Sequence, residues 1–551
     1  MTESSLPPGL SPSGPLNPER PSLQRTIGLV GLTFVAVGGI IGSGWLFAPL
    51  LTSRLAGPAA LISWAIGGVA MLALALCFAE VVGILPVAGG IARIPHFTHG
   101  DVTSAVLGWS AWVGYNTAAP IETIAMMQYM DHYVPWLFDG NVTDGSMSFA
   151  GMLVTIGVLG FFVVINAFGA EVFSKANAAL TWFKLAIPVV IGVAIFMARF
   201  EPGNFSAGGG FAPYGVKGIF AAVSAGGILF ALIGFRHAID MAGEVKNPKF
   251  TIPAALTISL VICLAVYGLL QVAFVGAIDP ALLENGWANL EFDHTLGPLA
   301  GVAAALGIGW ITITLNAGAI VSPFGGGLVA TGSMARLGYA LGQNRVFPRY
   351  FEHLSKRGVP FRCLMLNFVL GAAVVLFVPF DEAVALNGAA ITLSFSAGPL
   401  AVLALRKQYP EAERGFRLPF AQLIAPFAFI VATLIVYWSG WDTMWRLFLI
   451  VLVGIGVFAI RMRQERVRRH ELDLREASWL LPYLLGIGVV SYLGDYGSGT
   501  GALTYPWDII AVAIVALAVY AYGFRVRLPH DKAKVYRKRW GTDLPPDTIP
   551  L

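Results

Sequence analysis

Charged side chains are scarce in this sequence: Asp, Glu, Lys and Arg make up 12% of its 551 residues, while 56% are hydrophobic. Because soluble domains carry about 25% charged residues, the composition excludes an ordinary soluble enzyme or binding module. Cysteine is scarce too. The three present, Cys77, Cys263 and Cys363, lie in or beside apolar runs and make no disulfide framework. The chain is therefore predicted to be a membrane protein that crosses the bilayer many times.

Motifs of catalytic chemistry are also missing. The sequence has no metal-ligand spacing and no nucleophile elbow. The glycine runs at 208–210 and 325–327 lack the lysine and the strand-to-helix context of a phosphate-binding loop. We therefore expect neither an enzyme nor a bound cofactor or metal.

Long apolar runs are what the sequence has in abundance. About 14 of them reach the roughly 20 residues that a helix needs to cross a bilayer. Because a helix satisfies its own backbone hydrogen bonds in hydrocarbon, an all-α integral membrane fold is predicted. The expected spans cover residues 27–53, 56–84, 104–130, 150–168, 175–198, 215–243, 253–278, 300–333, 361–379, 383–405, 420–439, 442–462, 477–494 and 507–524.

Charge in the connections orients these spans, because short cytoplasmic loops are rich in Lys and Arg. The 279–298 connection holds four acids and no Lys or Arg, so it should face outward. The segments 335–362, 461–475 and 525–540 are basic and should be cytoplasmic, which places both termini inside. The amphipathic stretch 335–347 is expected as a helix on the cytoplasmic surface. This charge bias explains the basic runs without nucleic acid, and neither a nucleic acid nor an obligate protein partner is expected.

Composition also predicts how the chain is divided. Residues 1–24 are rich in Pro and Ser and lack the apolar core of a signal peptide, so a disordered cytoplasmic tail is expected there. The other expected units are a ten-helix core (25–410), helices 11 and 12 (411–462), a charged cytoplasmic linker (463–476), helices 13 and 14 (477–524) and a basic cytoplasmic tail (525–551).

Glycines interrupt two of the expected spans. Span 1 contains GGIIGSGWLFAP (38–49), and span 6 contains SAGGILFALIGFRHAID (224–240), in which glycines precede an arginine and an aspartate. A glycine weakens a helix, and in hydrocarbon every freed backbone group needs a partner. The glycines therefore form either a packing seam between helices or deliberate breaks. Breaks in spans 1 and 6 are the expected signature of a five-plus-five inverted repeat, with a substrate held where they meet.

Six stretches follow one another from span 1 to span 10: GGIIGSGWLFAP (38–49), AEVVGILPVAGGIARIP (79–95), NAALTWFKLAIP (177–188), FALIGFRHAIDMAGEVKNPKFTIPAAL (230–256), ARLGYALGQNRVFPRYFEHLSKRGVP (335–360) and LRKQYPEAERGFRLP (405–419). Together they resemble the amino acid-polyamine-organocation (APC) transporter superfamily. The resemblance implies a LeuT-type fold with helices 1 and 6 broken, which moves amino acids by alternating access across a bacterial cytoplasmic (inner) membrane. The length of about 14 spans and the GFR of span 6 are most similar to bacterial proton-coupled symporters for aspartate or glutamate.

The resemblance implies that the break of span 1 binds the substrate backbone. Gly42, Ser43 and Gly44 form its unwound part, whose N–H groups take the α-carboxylate, and nearby carbonyls, including that of Ile40, take the α-ammonium. Free amides at the positive end of a half-helix make an anion site without a charged side chain. In span 6 the resemblance implies pocket or break positions for three residues: Phe230, Ile233 and Gly234.

Arg236 departs from the family pattern, in which this place carries an acidic or a small residue. An arginine at the middle of a membrane is expensive and marks either a pathway or a fixed partner. Its guanidinium therefore has two readings. It pairs with the side-chain carboxylate of an acidic substrate, or it makes a structural pair with Glu122 or with Asp240, which lies one helical turn away.

Two further ionisable residues are candidates for proton coupling, so protons are the expected coupling ion. Lys184 matches a lysine that sodium-independent relatives hold near the break of span 1, where it either carries a proton or acts as a permanently charged latch. Glu122 follows Pro120 in span 3. It either carries a proton through the transport cycle or lies wet near the outer end of the span.

The remaining polar residues of the spans have weaker signals. Four are candidate pocket groups or ordinary interhelical hydrogen-bonding partners: Tyr115, Asn116, Asn316 and Ser322. His237 either titrates or is simply hydrogen bonded. Three acids are interpreted as gate or structural anchors: Glu80, Asp240 and Glu244.

The predicted function is secondary active uptake of an amino acid, most similar to proton-coupled uptake of an acidic one. The alternative within the same fold is symport or exchange of neutral or hydrophobic amino acids. A channel needs a continuous polar pore, whereas Trp45, Phe230 and Ile233 flank the breaks with apolar groups. A membrane-embedded enzyme is the other class considered, and the spans hold no catalytic cluster.

Overall fold

The computed structural model describes residues 25–131, 133–139, 146–224, 226–290, 298–307, 309–467, 472–496 and 498–540. The tail expected over 1–24 lies outside the described residues. Within them, the regular structure is helical, together with one antiparallel pair of two-residue strands, β1 (Phe138–Asp139) and β2 (Ser146–Met147).

The helices follow in chain order as α1 (Leu29–Ile40), α2 (Gly44–Ala56), α3 (Ala60–Ile84), α4 (Gly90–His99), α5 (Asp101–Met130), α6 (Phe149–Ala167), α7 (Ala170–Ala198), α8 (Gly215–Ser224), α9 (Ile228–Leu232), α10 (Arg236–Asp240), α11 (Pro248–Ala277), α12 (Pro298–Ala305), α13 (Gly309–Gln343), α14 (Phe361–Phe377), α15 (Phe380–Ser394), α16 (Ala397–Gln408), α17 (Ala421–Trp438), α18 (Trp441–Gln464), α19 (Leu480–Leu493), α20 (Trp507–Arg525) and α21 (His530–Trp540).

Length and composition make this a multi-pass membrane protein, as predicted. In the part of the chain that the structure describes, nine helical stretches are long and apolar enough to cross a bilayer. Large apolar side chains such as Phe161, Leu452 and Ile514 are exposed on these helices. Exposed apolar surface of this extent is suited to lipid rather than to water.

Spans 1 and 6 are both broken, which confirms the prediction. α1 ends at Ile40, residues 41–43 leave the helix, and α2 begins at Gly44. Span 6 is divided among α8, α9 and α10, with Gly227 at φ +83° between α8 and α9. A 3-10 turn, Ile233–Phe235, joins α9 to α10. Glycine reaches the positive φ at 227 without the steric cost that other residues carry.

Continuous helices surround the two broken spans. α1 packs against α7, α11 and α13, and it also contacts the 3-10 turn of span 6 and α10. α5 packs along α13 and α15. The breaks therefore lie in the interior of the helix bundle, where freed backbone groups can be satisfied by protein.

The expected surface helix at 335–347 is a wrong prediction for most of its length. α13 continues through this stretch to Gln343, and residues 335–342 are buried. The reason is a buried partner: the Arg336 guanidinium donates to both carboxylate oxygens of Glu244, at 2.7 and 2.8 Å. A charge that has such a partner does not require solvent.

Two short helices, α4 and α21, lie in the connections 85–100 and 525–540 and contact each other. All residues of α4, in the connection between spans 2 and 3, are buried. α21, which falls within the predicted basic tail, packs against α4 and α16. The C-terminal segment is thus in contact with the connection that follows span 2.

Candidate binding site at the crossing of the broken helices

The two breaks meet at a pair of glycines. A Cβ on Gly234 would collide with the backbone of Gly39, and a Cβ on Gly39 would lie 2.8 Å from the Gly234 carbonyl oxygen. The backbones of α1 and of the turn in span 6 therefore touch, which requires residues without side chains at both positions. The sequence left open whether these glycines form a packing seam or a helix break. They do both, because they pack two helices closely at the point where each is broken.

A cavity of about 50 Å³ lies at this crossing. It has room for only a few water molecules, so an amino acid fits only when the lining helices move apart. Its walls are formed by Gly39, Ile40, Gly42, Gly44, Ala118, Ile121, Glu122, Ala231, Ile233, Gly234, Arg236, His237, Gly326, Ala330 and Asn387.

The backbone at the break of span 1 is only partly paired. The N–H of Gly42 donates to the Ile40 carbonyl oxygen at 3.0 Å, and that oxygen also accepts from the Tyr267 hydroxyl at 3.0 Å. Gly44 is the first residue of α2, where helix N–H groups lack intrahelical acceptors and the dipole is positive. An anion is therefore favoured beside residues 42–44.

Lys184 closes the carboxyl end of α1. Its side chain is buried on α7, and Nζ donates to the Gly38 carbonyl oxygen. Carbonyls of a last helical turn have no intrahelical donor, so the ammonium supplies one. Gly325 gives the lysine room, because a Cβ there would lie 2.8 Å from Lys184 Cδ. The structure thus places Lys184 at the break, where the resemblance implies it.

Glu122 faces the cavity from α5 rather than the outer end of its span. A Cβ on Gly42 or on Gly326 would press into its carboxylate, so both glycines leave space for it. The carboxylate interacts with the backbone and hydroxyl of Ser43, and its Oε2 atom has no hydrogen-bond partner in the described structure. Glu122 and Lys184 lie close enough to interact electrostatically.

Arg236 lines the cavity from span 6 and makes no ion pair with any residue that the structure describes. Its Cζ lies 4.5 Å from the centroid of the Tyr115 ring, and its Nε and Nη1 atoms have no hydrogen-bond partner. Asp240 is engaged by the hydroxyl of Tyr115, which donates to Oδ2 at 2.7 Å. Among the described residues, Arg236 forms an ion pair with neither Glu122 nor Asp240.

Two polar residues of the cavity were not predicted to bind substrate. His237 Nδ1 lies 2.8 Å from Ser333 Oγ, as its hydrogen-bonding interpretation expects, yet the ring also lines the cavity. Asn387 on α15 lines the cavity too, and its Nδ2 donates to the Gly114 carbonyl oxygen at 2.9 Å and to Thr117 Oγ1 at 3.2 Å. A lone amide within the apolar run 383–405 is the signal that could have found Asn387.

Three candidate pocket residues make structural hydrogen bonds away from the cavity. Asn116 donates to a backbone carbonyl of its own helix at 2.7 Å. Asn316 is half-buried and donates to the Tyr133 hydroxyl at 2.8 Å. Ser322 accepts from Trp45 Nε1 at 3.2 Å. A fourth candidate, Phe230, has a side chain outside the described residues.

Glu80 and Glu244 each make a bidentate pair with an arginine from a distant part of the chain. Arg406 donates to both oxygens of Glu80, at 2.8 and 2.7 Å, which joins the end of α3 to the end of α16. Arg336 engages Glu244 in the same way. Such paired carboxylates are anchors between helices, and neither lines the cavity.

Comparison with known proteins finds similar proteins that are named as amino acid permeases or transporters. Residues 27–460 match the family described as amino acid permease. The glutamate/serine transporter AimA of Bacillus subtilis (strain 168) is 34% identical over 511 residues, which cover 91% of this chain and 94% of the relative. The aspartate-proton symporter of the same organism is 34% identical over 515 residues, 92% of this chain and 98% of the relative. The branched-chain amino acid permease BcaP, also from that organism, is 24% identical over 452 residues, 80% of this chain and 94% of the relative.

Proposed function

The chain belongs to the amino acid permease family, and we propose that it takes up an acidic amino acid, aspartate or glutamate, together with protons. The observation that carries the proposal is the Arg236 guanidinium at the cavity where the broken spans cross, whose Nε and Nη1 atoms have no hydrogen-bond partner among the described residues. Two relatives at 34% identity, named as a glutamate/serine transporter and an aspartate-proton symporter, support the substrate class and the coupling ion.

Arg236 is proposed to bind the side-chain carboxylate of the substrate. A guanidinium buried at this depth is costly, and the Tyr115 ring stabilises it only through a cation–π contact at 4.5 Å. Its free N–H groups match the two oxygens of a carboxylate in a bidentate pair. No hydrogen bond joins Asp240 to the guanidinium among the described residues, since Asp240 Oδ2 accepts from the Tyr115 hydroxyl and Oδ1 has no hydrogen-bond partner. The guanidinium therefore remains available to a ligand.

The backbone of the breaks is proposed to bind the α-amino acid group. The N–H groups of Gly42, Ser43 and Gly44 take the α-carboxylate at the positive end of α2, once Ser43 has released the Glu122 carboxylate and Gly42 the Ile40 carbonyl oxygen. Carbonyls at the breaks take the α-ammonium, and Ile40 must release one of its two present donors to do so. Ile233 and Gly234 line the same cavity.

Proton coupling is assigned to Glu122 and Lys184. Glu122 lies against Ser43 and Gly42, and Lys184 binds the Gly38 carbonyl on the same break. A change of protonation at either group alters the electrostatic field at residues 38–44. It therefore biases the equilibrium between transport states, provided that those states differ in proton affinity.

The orientation and division of the chain follow the same proposal. Both termini lie in the cytoplasm of a bacterial cell, and the protein spans the cytoplasmic membrane with the acidic 279–298 connection outside. The ten-helix core over 25–410 performs transport, and spans 11 to 14 surround it.

Neutral amino acids are the second candidate substrates. The cavity is apolar around Ile40, Ile121 and Ile233, and relatives are named as a glutamate/serine transporter and a branched-chain amino acid permease. In that case Arg236 has a structural role under Tyr115 and does not touch the substrate.

The test is uptake of radiolabelled aspartate, glutamate, serine, leucine and arginine into proteoliposomes, with and without an inward proton gradient. We expect aspartate or glutamate to accumulate above its external concentration only with the gradient, and a protonophore to abolish this accumulation. Accumulation of leucine alone would replace the acidic substrate with a neutral one. Equal uptake with and without the gradient would remove the proton from the mechanism.

A further inference from the structure

A basic cleft of about 220 Å³ lies where α16 and α20 end, and it shares no lining residue with the cavity at the helix crossing. It is formed by the last turn of α16, the turn before α19, and the segment that connects α20 to α21. The charged or titratable side chains that line it are Lys407, Arg475, Glu476, Arg525, Arg527 and His530. Four fixed positive charges therefore face one small volume.

Among the residues that the structure describes, the one carboxylate that lines the cleft is already paired outside the group of four cations. Glu476 is engaged by Lys532, whose Nζ lies 3.3 Å from its Oε1. Across the residues that the structure describes, no carboxylate makes an ion pair with Lys407, Arg475 or Arg525. Like charges held close together repel one another, so the arrangement favours an anion in the cleft.

Arg527 is held in place by contacts that leave its charge unpaired. Its Nη1 donates to the Phe524 carbonyl oxygen at 2.5 Å, and its Cζ lies 4.4 Å from the centroid of the Phe524 ring. Partial burial lowers the pKa of the Arg527 guanidinium from its ordinary value, because water is withdrawn from the charge. A bound anion would reverse this destabilisation.

The cleft lies where the apolar helix α20 ends and charged residues begin. α20 is one of the membrane-crossing stretches and ends at Arg525. One turn earlier on α20, Tyr522 is exposed, and on α19 Leu481 and Leu485 are exposed soon after Arg475. In a bilayer this boundary lies at the lipid headgroups, where an exposed tyrosine is typical.

We infer that the cleft binds the phosphate of an anionic phospholipid, with the acyl chains along the exposed apolar side chains of α19 and α20. Basic pockets between membrane helices suit such headgroups, because several cations share one phosphate. The lipid would connect the end of α16 to Arg475 and to the 525–530 segment. This gives the last two spans a role, because the headgroup fastens them to the transport core.

The experiment uses the purified full-length protein in a neutral detergent, with short-chain phosphatidylglycerol as the probe. Phosphatidylcholine of the same chain length tests the headgroup charge, and inorganic phosphate and glycerol phosphate test a soluble source of the same oxyanion. The readouts are the unfolding midpoint as a function of probe concentration and the number of lipids retained in native mass spectrometry.

The variant Arg475→Gln/Arg527→Gln is compared with Lys356→Gln/Arg463→Gln, which removes the same charge from exposed residues outside the cleft. We expect phosphatidylglycerol to raise the midpoint of the wild type and of the control, and to bind the cleft variant roughly 10- to 30-fold more weakly. Arg475→Gln alone, at an exposed side chain, is the substitute if the double variant does not fold.

Equal binding of phosphatidylglycerol to all three proteins would overturn the inference. So would an equal response to phosphatidylcholine, since the headgroup charge would then be irrelevant. A stabilisation by inorganic phosphate or glycerol phosphate at the same concentrations, lost in the cleft variant, would assign the site to a soluble phosphate and not to a lipid.

Discussion

Gly234 has no space for a side chain, because a Cβ there would meet the backbone of Gly39. Gly234→Ala must therefore push spans 1 and 6 apart or distort the turn that joins α9 to α10, at a cost of about 1–3 kcal/mol. We expect this variant to unfold at a lower temperature and to take up its amino acid about tenfold more slowly or worse. Thermal unfolding and proteoliposome uptake measure the two effects.

Gly268→Ala on α11 is the matched control, since nothing lies within 4 Å of the place where its Cβ would stand. Alanine is better than glycine inside a helix by about 1 kcal/mol. The control should therefore unfold at or above the wild-type temperature and transport normally. A similar loss in both variants would contradict the special role of the glycine crossing.

Glu122 is the residue at which proton coupling can be separated from binding. Glu122→Gln keeps the shape of the side chain beside Ser43 and Gly42 but can no longer bind and release a proton. We expect it to exchange internal for external substrate while losing accumulation driven by a proton gradient. Both are measured in proteoliposomes loaded with unlabelled substrate. Accumulation that survives in Glu122→Gln would assign the proton to Lys184 instead.

Charged residues of the site could be predicted from the sequence, whereas amides could not. Arg236, Lys184 and Glu122 stand out because a charge in an apolar run has few explanations. Asn387 does not stand out, because an amide in a membrane helix is usually an ordinary hydrogen-bonding group. Asn116 does not line the cavity although Tyr115 contacts Arg236, because one helical step turns a side chain by about 100°.

At the scale of elements, one buried carboxylate contributes two of the side-chain contacts that hold α21 against the bundle. Asp473, in the connection before α19, pairs with Lys532 and accepts from the Tyr536 hydroxyl, and it also accepts from the backbone N–H of Asp101. Asp473→Asn removes the charge that these groups share. We expect a loss of about 1–3 kcal/mol in the stability of α21 docking, seen as faster hydrogen exchange of the α21 amides.

Asp531→Asn provides the comparison for that measurement, because Asp531 is exposed on the same helix. Its exchange rates should match those of the wild type, since surface substitutions of this kind have small effects. If α21 exchanged equally slowly in Asp473→Asn and in the wild type, the carboxylate would not be what holds the helix.

Helices could be predicted from the sequence where an apolar run was long. The location of charged stretches was harder to predict. The breaks of spans 1 and 6 follow from glycine in hydrocarbon, and both are present. The 335–343 stretch was expected at the surface because it is basic and amphipathic, but the partner of Arg336 is Glu244, 92 residues earlier in the chain. A tertiary partner at that separation leaves no signal in the local sequence.

For the whole molecule, the positive-inside rule predicts an orientation that labelling can test. Cys77, Cys263 and Cys363 are all buried, so the wild type should react weakly with a membrane-impermeant maleimide. In intact cells Glu284→Cys should be labelled, because this exposed residue lies in the acidic 279–298 connection. Arg463→Cys should be labelled only after the cells are permeabilised, and the reverse pattern would contradict the proposed orientation.

The family could be predicted from motifs, and a chain that crosses the membrane many times could be predicted from hydropathy, because both leave contiguous patterns in the sequence. The placement of the last two spans could not. α20 packs against α17 and α16, and α19 packs against α20 and α18, through apolar surfaces that any membrane helix offers. Such surfaces do not indicate which helix they pack against, so these contacts can be identified only in the folded structure.

The central claim is that Arg236 binds the substrate carboxylate, and substrate selection by the wild type and Arg236→Gln tests it most directly. Uptake of aspartate, glutamate, serine and leucine is measured in proteoliposomes under an inward proton gradient. Removing a buried charge from its partner costs about 2 kcal/mol or more, so uptake of the acidic substrates should fall at least about 30-fold. The variant should elute and unfold like the wild type, and any uptake of serine should persist. Undiminished uptake of aspartate and glutamate by a folded Arg236→Gln would show that Arg236 does not bind the substrate.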